Sequence, residues 1–80
     1  MTYNETISLH NYIADNDLLG RVEERTKANW YGSGSRGSYY SAIRKQKAKQ
    51  ELSLVEGLMI MEATALMKEH EKSSLEMEAA

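Results

Sequence analysis

Gly32-x-Gly34-x-x-Gly37 lies between Trp30 and the pair Tyr39-Tyr40, with Arg36 inside it and Arg44, Lys45, Lys47 and Lys49 soon after. These residue types suit one chemistry. Glycines let backbone amides converge, a helix N-terminus carries about half a positive charge, and an arginine grips a phosphate through two parallel hydrogen bonds. Aromatic rings beside such cations stack on a base. Trp30, Arg36, Tyr39, Tyr40, Arg44 and Lys47 are therefore the candidate ligand-binding residues, and a nucleotide or other phosphate-bearing molecule is the expected ligand. The competing reading is a hairpin loop of ordinary turn residues, followed by a solvated face on which Lys47 pairs with Glu51.

Other chemistries fail on their spacing. The glycine pattern matches the dinucleotide fingerprint letter for letter, but that motif works between a strand and a helix of a parallel sheet. Here Asn29-Trp30-Tyr31 closes a helix. With no cysteine and only His10 and His70, zinc and disulfide frameworks are excluded. Asp15-x-Asp17 before Gly20 resembles a calcium loop, yet Leu19 and Thr26 occupy positions that need oxygen ligands. Ser33, Ser35 and Ser38 lack the strand-to-helix elbow and triad partners of a hydrolase. No metal site, cofactor or catalytic residue is expected, and the chain reads as a non-enzyme. His10 and His70 are expected at the surface without partners.

The elements that hold this stretch read as helices. Pro and Phe are absent, Val occurs twice, and Ala, Leu, Met, Glu, Lys and Gln dominate the second half. Thr2 followed by Glu5 fits a capping box, with Asn4 or Thr6 as alternative caps, and opens a short helix over 1–15 with Ile7, Leu9, Tyr12 and Ile13 on its apolar face. Asp15-Asn16-Asp17 interrupts it. A second helix over 17–30 carries Leu18, Leu19, Val22, Thr26 and Trp30 at steps of three and four. Asn29 before Trp30-Tyr31-Gly32 suits its C-terminus, with Gly32 able to adopt a left-handed conformation. A Gly/Ser loop covers 31–38, Ser38 caps the next helix, and the pattern then predicts one long helix over 39–72, roughly 50 Å at 1.5 Å per residue. The tail 73–80 is expected to fray.

Between Leu52 and Met67 this predicted helix is apolar on nearly all sides. One wide arc holds Leu54, Val55, Leu58, Met59, Met61, Ala65 and Leu66, with Ile60 and Met67 outside it. Such a helix must be covered on more than one side. The first half of the chain covers one side, and a second copy or another protein covers the rest, the expected oligomer contacts being Leu54, Leu58, Met59, Ile60, Met61 and Met67. Gly57, costly in a helix interior, fits close helix approach. Glu62 falls inside the apolar arc and needs a cation, for which Arg21 and Arg25 are the candidates.

Eighty residues allow one small domain, and chains this short draw stability from oligomerisation when disulfides and metals are absent. Net charge is −2, but five cations and no anion lie between Arg36 and Gln50, and seven Glu against Lys68 and Lys72 follow from Glu51 onward. No signal peptide or membrane-spanning run is present, so a cytoplasmic, soluble protein is expected. The expected fold is an all-α helical hairpin, one or two short N-terminal helices packed against one long C-terminal helix that drives homo-oligomerisation. In size and shape it resembles small phage-encoded helical proteins that sequester nucleotide signals or block a host defence complex. The leading expectation is a binding protein for a phosphate-bearing ligand. The alternatives are an inhibitor or adaptor of a host protein, and nucleic-acid binding through residues 36–49.

Overall fold

The computed structural model describes residues 1–79, which form four helices: α1 (Tyr3–Asp15), α2 (Leu19–Asn29), α3 (Arg36–Lys47) and α4 (Leu54–Ala79). No strand occurs among the described residues, so the all-α class holds. The molecule measures 42 × 30 × 16 Å, and the 26 residues of α4, about 39 Å of helix, set its long dimension.

α1 opens on the expected capping box. The Glu5 amide donates to Thr2 Oγ1 and the Thr2 amide to Glu5 Oε1, each at 3.1 Å. Leu9 and Ile13 then turn inward, with Thr6 beside them. α2 starts at Leu19 with no side-chain cap and buries Val22 and Thr26.

The first three helices end alike. In each, an amide two residues past the cap reaches back to the carbonyl three positions inside the helix: Leu18 to Ile13, Gly32 to Lys27 and Gln50 to Lys45, at 2.8 to 2.9 Å. This closure needs a left-handed residue, usually glycine. Here the positions are held by Asp17, Tyr31 and Lys49, at φ 53, 56 and 57°. A side chain in that conformation costs on the order of 1 kcal/mol, so packing beyond each end must favour the turn.

The third of these turns corrects the sequence reading. The single helix expected over 39–72 is two helices, broken at residues 48–53. Ala48-Lys49-Gln50-Glu51 contains no residue that forbids helix, yet Lys49 turns left-handed and Ser53 begins a new capping box. The Ser53 amide donates to Glu56 Oε1 at 2.7 Å, and the Glu56 amide donates to Ser53 Oγ at 3.2 Å. The corner folds α3 back against α4, so the first half of the expected rod packs on the second. Three boundaries also move. The second helix, expected over 17–30, runs from Leu19 to Asn29, because Asp17 takes the left-handed turn that closes α1. Ser35, not Ser38, caps α3, its hydroxyl accepting from the Ser38 amide, so the helix starts at Arg36. The stretch expected to fray from Ser73 is helical through Ala79, while Ala80 lies outside the described residues.

The core joins Leu9 and Ile13 of α1, Leu18, Val22 of α2, Tyr39, Ala42 and Ile43 of α3, and Met59, Ile60, Ala63 and Leu66 of α4. Each large aliphatic side chain in it contributes roughly 2 kcal/mol by leaving water. Met59 and Ile60 were expected at an oligomer interface. They are sealed in the chain's own core, because α3 folds onto that side of α4. Met67 is half-buried against the same core.

Polar clamps fix the helices laterally. Glu62 is buried and meets the cation it needs: Arg25 Nε lies 3.3 Å from Glu62 Oε1, and Asn29 Nδ2 donates to Glu62 Oε2 at 2.6 Å. Arg25 also pairs with Glu69. The histidines are not idle surface residues. His10 Nδ1 is 2.9 Å from Tyr39 Oη, linking α1 to α3, and His70 Nδ1 is 2.6 Å from Tyr12 Oη, linking α4 to α1. Burial pushes the Tyr12 hydroxyl's pKa up, helped by the negative charge of Glu71. No helix among the described residues is long and apolar enough to cross a membrane.

Candidate functional site

The loop between α2 and α3 is aimed by one glycine. Gly34 sits at φ +109°, and a Cβ there would lie 2.8 Å from Met59 Sδ and 2.9 Å from Thr26 Cγ2. A side chain fits neither the backbone angle nor the space. The loop is thereby pressed onto α2 and α4, and Ser35 follows in position to cap α3. The Ser38 amide is taken by that cap, leaving the Arg36 and Gly37 amides at the positive end of a twelve-residue helix.

α3 then divides its residues between two faces. Tyr39, Ala42 and Ile43 point into the core. Arg36, Tyr40, Arg44 and Lys47, at steps of four, four and three, share the outward face, since residues three or four apart are neighbours on a helix. No carboxylate lies on that stripe. Among the described residues neither Arg44 nor Lys47 has an ion-pair partner, and Arg36 approaches only Glu23, at 3.9 Å. Lys45, on the flank, is committed to Glu56 at 2.9 Å.

A cleft opens on each side of Tyr40. One, about 250 Å³, is bounded by His10, Asp17, Leu19, Arg36, Tyr39 and Tyr40. The other, about 260 Å³, is bounded by Gly37, Tyr40, Ser41 and Arg44. The first holds an aromatic cluster in which the rings of Tyr39 and Tyr40 meet edge-on, with centroids 5.6 Å apart, and His10 tilts over Tyr39 at 5.7 Å. Burial raises the Tyr39 hydroxyl's pKa to about 12, with Tyr40 adding to the shift, so it stays protonated at neutral pH. The arrangement supplies cations, two helix-end amides and one exposed ring. Among the described residues no three His, Asp or Glu side chains converge as a metal site.

Of the six residues picked from the sequence, four come together: Arg36, Tyr40, Arg44 and Lys47. Tyr39 does not offer a stacking face. It is 0% exposed, and its ring belongs to the core. Trp30 caps the end of α2, half-buried, and borders neither cleft. His10 lines the first cleft although nothing in the sequence, 29 residues away from Tyr39, marks the contact. Glu56 was also missed, and here a signal existed: Ser53-x-x-Glu56 repeats the spacing of Thr2-x-x-Glu5.

Comparisons with protein-family models, with curated proteins and with solved structures gave no match to this chain.

Proposed function

We propose that this chain is a non-enzymatic binding protein that holds a phosphate-bearing ligand, a nucleotide in the simplest case, against the outward face of α3. The observation that carries this reading is the stripe Arg36, Tyr40, Arg44, Lys47: three cations and an exposed ring on one helix face, free of carboxylates and bracketed by clefts. Arg36 and the first amides of α3 bind phosphate at one end, Arg44 and Lys47 extend the positive field along the helix, and Tyr40 stacks on a base or ring. Asp17, across the first cleft, disfavours a second anion there and suits a sugar hydroxyl or base edge instead.

Calorimetric titration with ATP, ADP, AMP and inorganic phosphate, beside a short single-stranded oligonucleotide, tests this. Nucleotide binding is expected, weakened about tenfold by Arg36→Ala or Arg44→Ala, the loss of one charge-assisted contact. If the oligonucleotide binds best and loses affinity steeply between about 50 and 200 mM salt, the ligand is nucleic acid held by the same stripe. Absence of binding by every probe overturns the proposal.

A second reading, an inhibitor or adaptor docking on a host protein, draws on a different observation. Leu54 is 80% exposed and Met61 46%, on a face of α4 that the chain leaves uncovered.

A further inference from the structure

The outward face of α4 carries Leu54, Leu58, Met61 and Ala65, followed by Lys68 and Lys72, at strictly alternating steps of four and three. That is the spacing of a coiled-coil seam. Leu54 and Met61 are exposed, Leu58 and Ala65 half-buried, and the core lies on the opposite side, around Met59, Ala63 and Leu66.

We propose that this stripe is a self-association seam in which two copies of the chain pair antiparallel, about a two-fold axis between Leu58 and Met61. The inference is independent of the ligand reading, which concerns α3.

Three features favour a second copy in this register. The first is size. Leu54 of one copy falls opposite Ala65 of the other, and Leu58 opposite Met61, so large residues meet a small or a flexible one and the seam fills evenly. The second is charge. Antiparallel pairing also sets the turn just before α4, where Glu51 is exposed outside the helical register, beside the end of the seam that carries Lys68 of the second copy. A parallel pairing would instead set Lys68 on Lys68 and Lys72 on Lys72 within the seam, which like-charge repulsion opposes. The third is Gly57, on the flank of the stripe. A Cβ there would meet nothing within 4 Å, so the chain's own packing does not require glycine. Glycine in a helix interior costs about 1 kcal/mol relative to Ala, and a neighbouring helix that approaches closely gives it a use. Four residues a side make a small interface, well under the roughly 800 Å² per partner of a permanent complex. The expected state is a concentration-dependent monomer–dimer equilibrium.

Sedimentation equilibrium of the full chain without ligand, from about 1 μM to about 1 mM, reads this directly. Dimer is expected to accumulate toward the top of the range. Leu58→Asp is expected to leave the chain monomeric throughout, with circular dichroism confirming that it remains helical. Because Leu58→Asp can also disturb folding, the charge pair provides the second arm. Glu51→Lys and Lys68→Glu each weaken association several-fold, and the double variant restores it. The chain has no cysteine, so Leu58→Cys with Met61→Cys is expected to cross-link copies on oxidation. A monomer at every concentration overturns the proposal and leaves the face to a different protein. A dimer that survives Leu58→Asp with its helix content intact, or a charge swap that fails to rescue, overturns it too.

Discussion

Two helices of this chain begin on the same four-residue pattern, Thr2-x-x-Glu5 and Ser53-x-x-Glu56, and the pattern does different work in each. At α1 it closes on itself at the surface. Thr2 and Glu5 are exposed, their only described polar partners are each other's backbone and side chains together with Thr6, and the Thr2 backbone amide lowers the Glu5 pKa. At α4 the carboxylate is buried and reaches beyond its own helix. Glu56 accepts from the Ser41 hydroxyl and from Lys45 Nζ, both on α3, as well as from the Ser53 amide. Those contacts, the Ser41 hydroxyl first and then the Ser53 amide and Lys45, hold its pKa down to about 2. The first box starts a helix. The second starts a helix and ties it to the preceding one, so a local motif becomes the joint on which the two halves of the chain fold together.

That contrast can be broken most strongly at Glu56. Replacing it by Gln keeps the shape but removes the charge that Ser41, Ser53 and Lys45 are arranged around, and it should destabilise the chain more than any other single change at either box. The pH dependence follows from the direction of the shift. A carboxylate whose pKa is lowered on folding stabilises the native state above its unfolded value and loses that contribution as pH falls through its folded value. The gap between wild type and Glu56→Gln in urea unfolding should therefore be constant above pH 4.5 and shrink as pH falls toward about 2. A gap that does not change with pH would mean that the charge itself contributes nothing.

Smaller changes sharpen the comparison. Ser53→Ala should cost about 1–2 kcal/mol, at the upper end for a helix cap, because the corner loses its lock along with the cap. Thr2→Ala should cost about 0.5–1 kcal/mol and show mainly as faster amide exchange in the first turn of α1. Equal costs for the two would undo the distinction. The smallest effect is a gain. Lys49→Gly removes a side chain from a left-handed position at φ 57° and should raise stability by about 0.5 kcal/mol in the same unfolding assay. If it destabilises, Lys49 makes a contribution at the corner that its backbone angle does not reveal.

Much of the outline was readable from residues alone. The start of α1, the turn after Asp15 and the need of buried Glu62 for a cation follow from rules of capping, turn chemistry and buried charge, although the choice of Arg25 over Arg21 does not. The break at residues 48–53 was not readable, because local propensity there favours helix throughout and the decision rests on contacts of Glu56 with Lys45 and Ser41, 11 and 15 positions back. Met59 and Ile60 went astray for a related reason. A helix apolar on all sides has no unique inward face until its neighbours are known, and the hidden corner had moved the neighbour. At the candidate site spacing grouped Tyr40, Arg44 and Lys47, but with Glu51 on the same face and Arg36 in the loop, and adjacent tyrosines lie 100° apart on a helix, so nothing in the sequence says which turns inward. The ring that packs against His10 is Tyr39, and only the folded chain brings those two together.

Trp30 is the only tryptophan, and its indole Nε1 is buried with no hydrogen-bond partner among the described residues. An indole sheltered from water emits at shorter wavelength than a solvated one. The chain thus carries a built-in optical reporter at the end of α2, four residues from Gly34 and remote in sequence from the corner at Ser53. Emission from this single ring follows the loop that aims α3, while circular dichroism follows all four helices at once. Following both through one unfolding transition reveals whether the loop and the corner let go together.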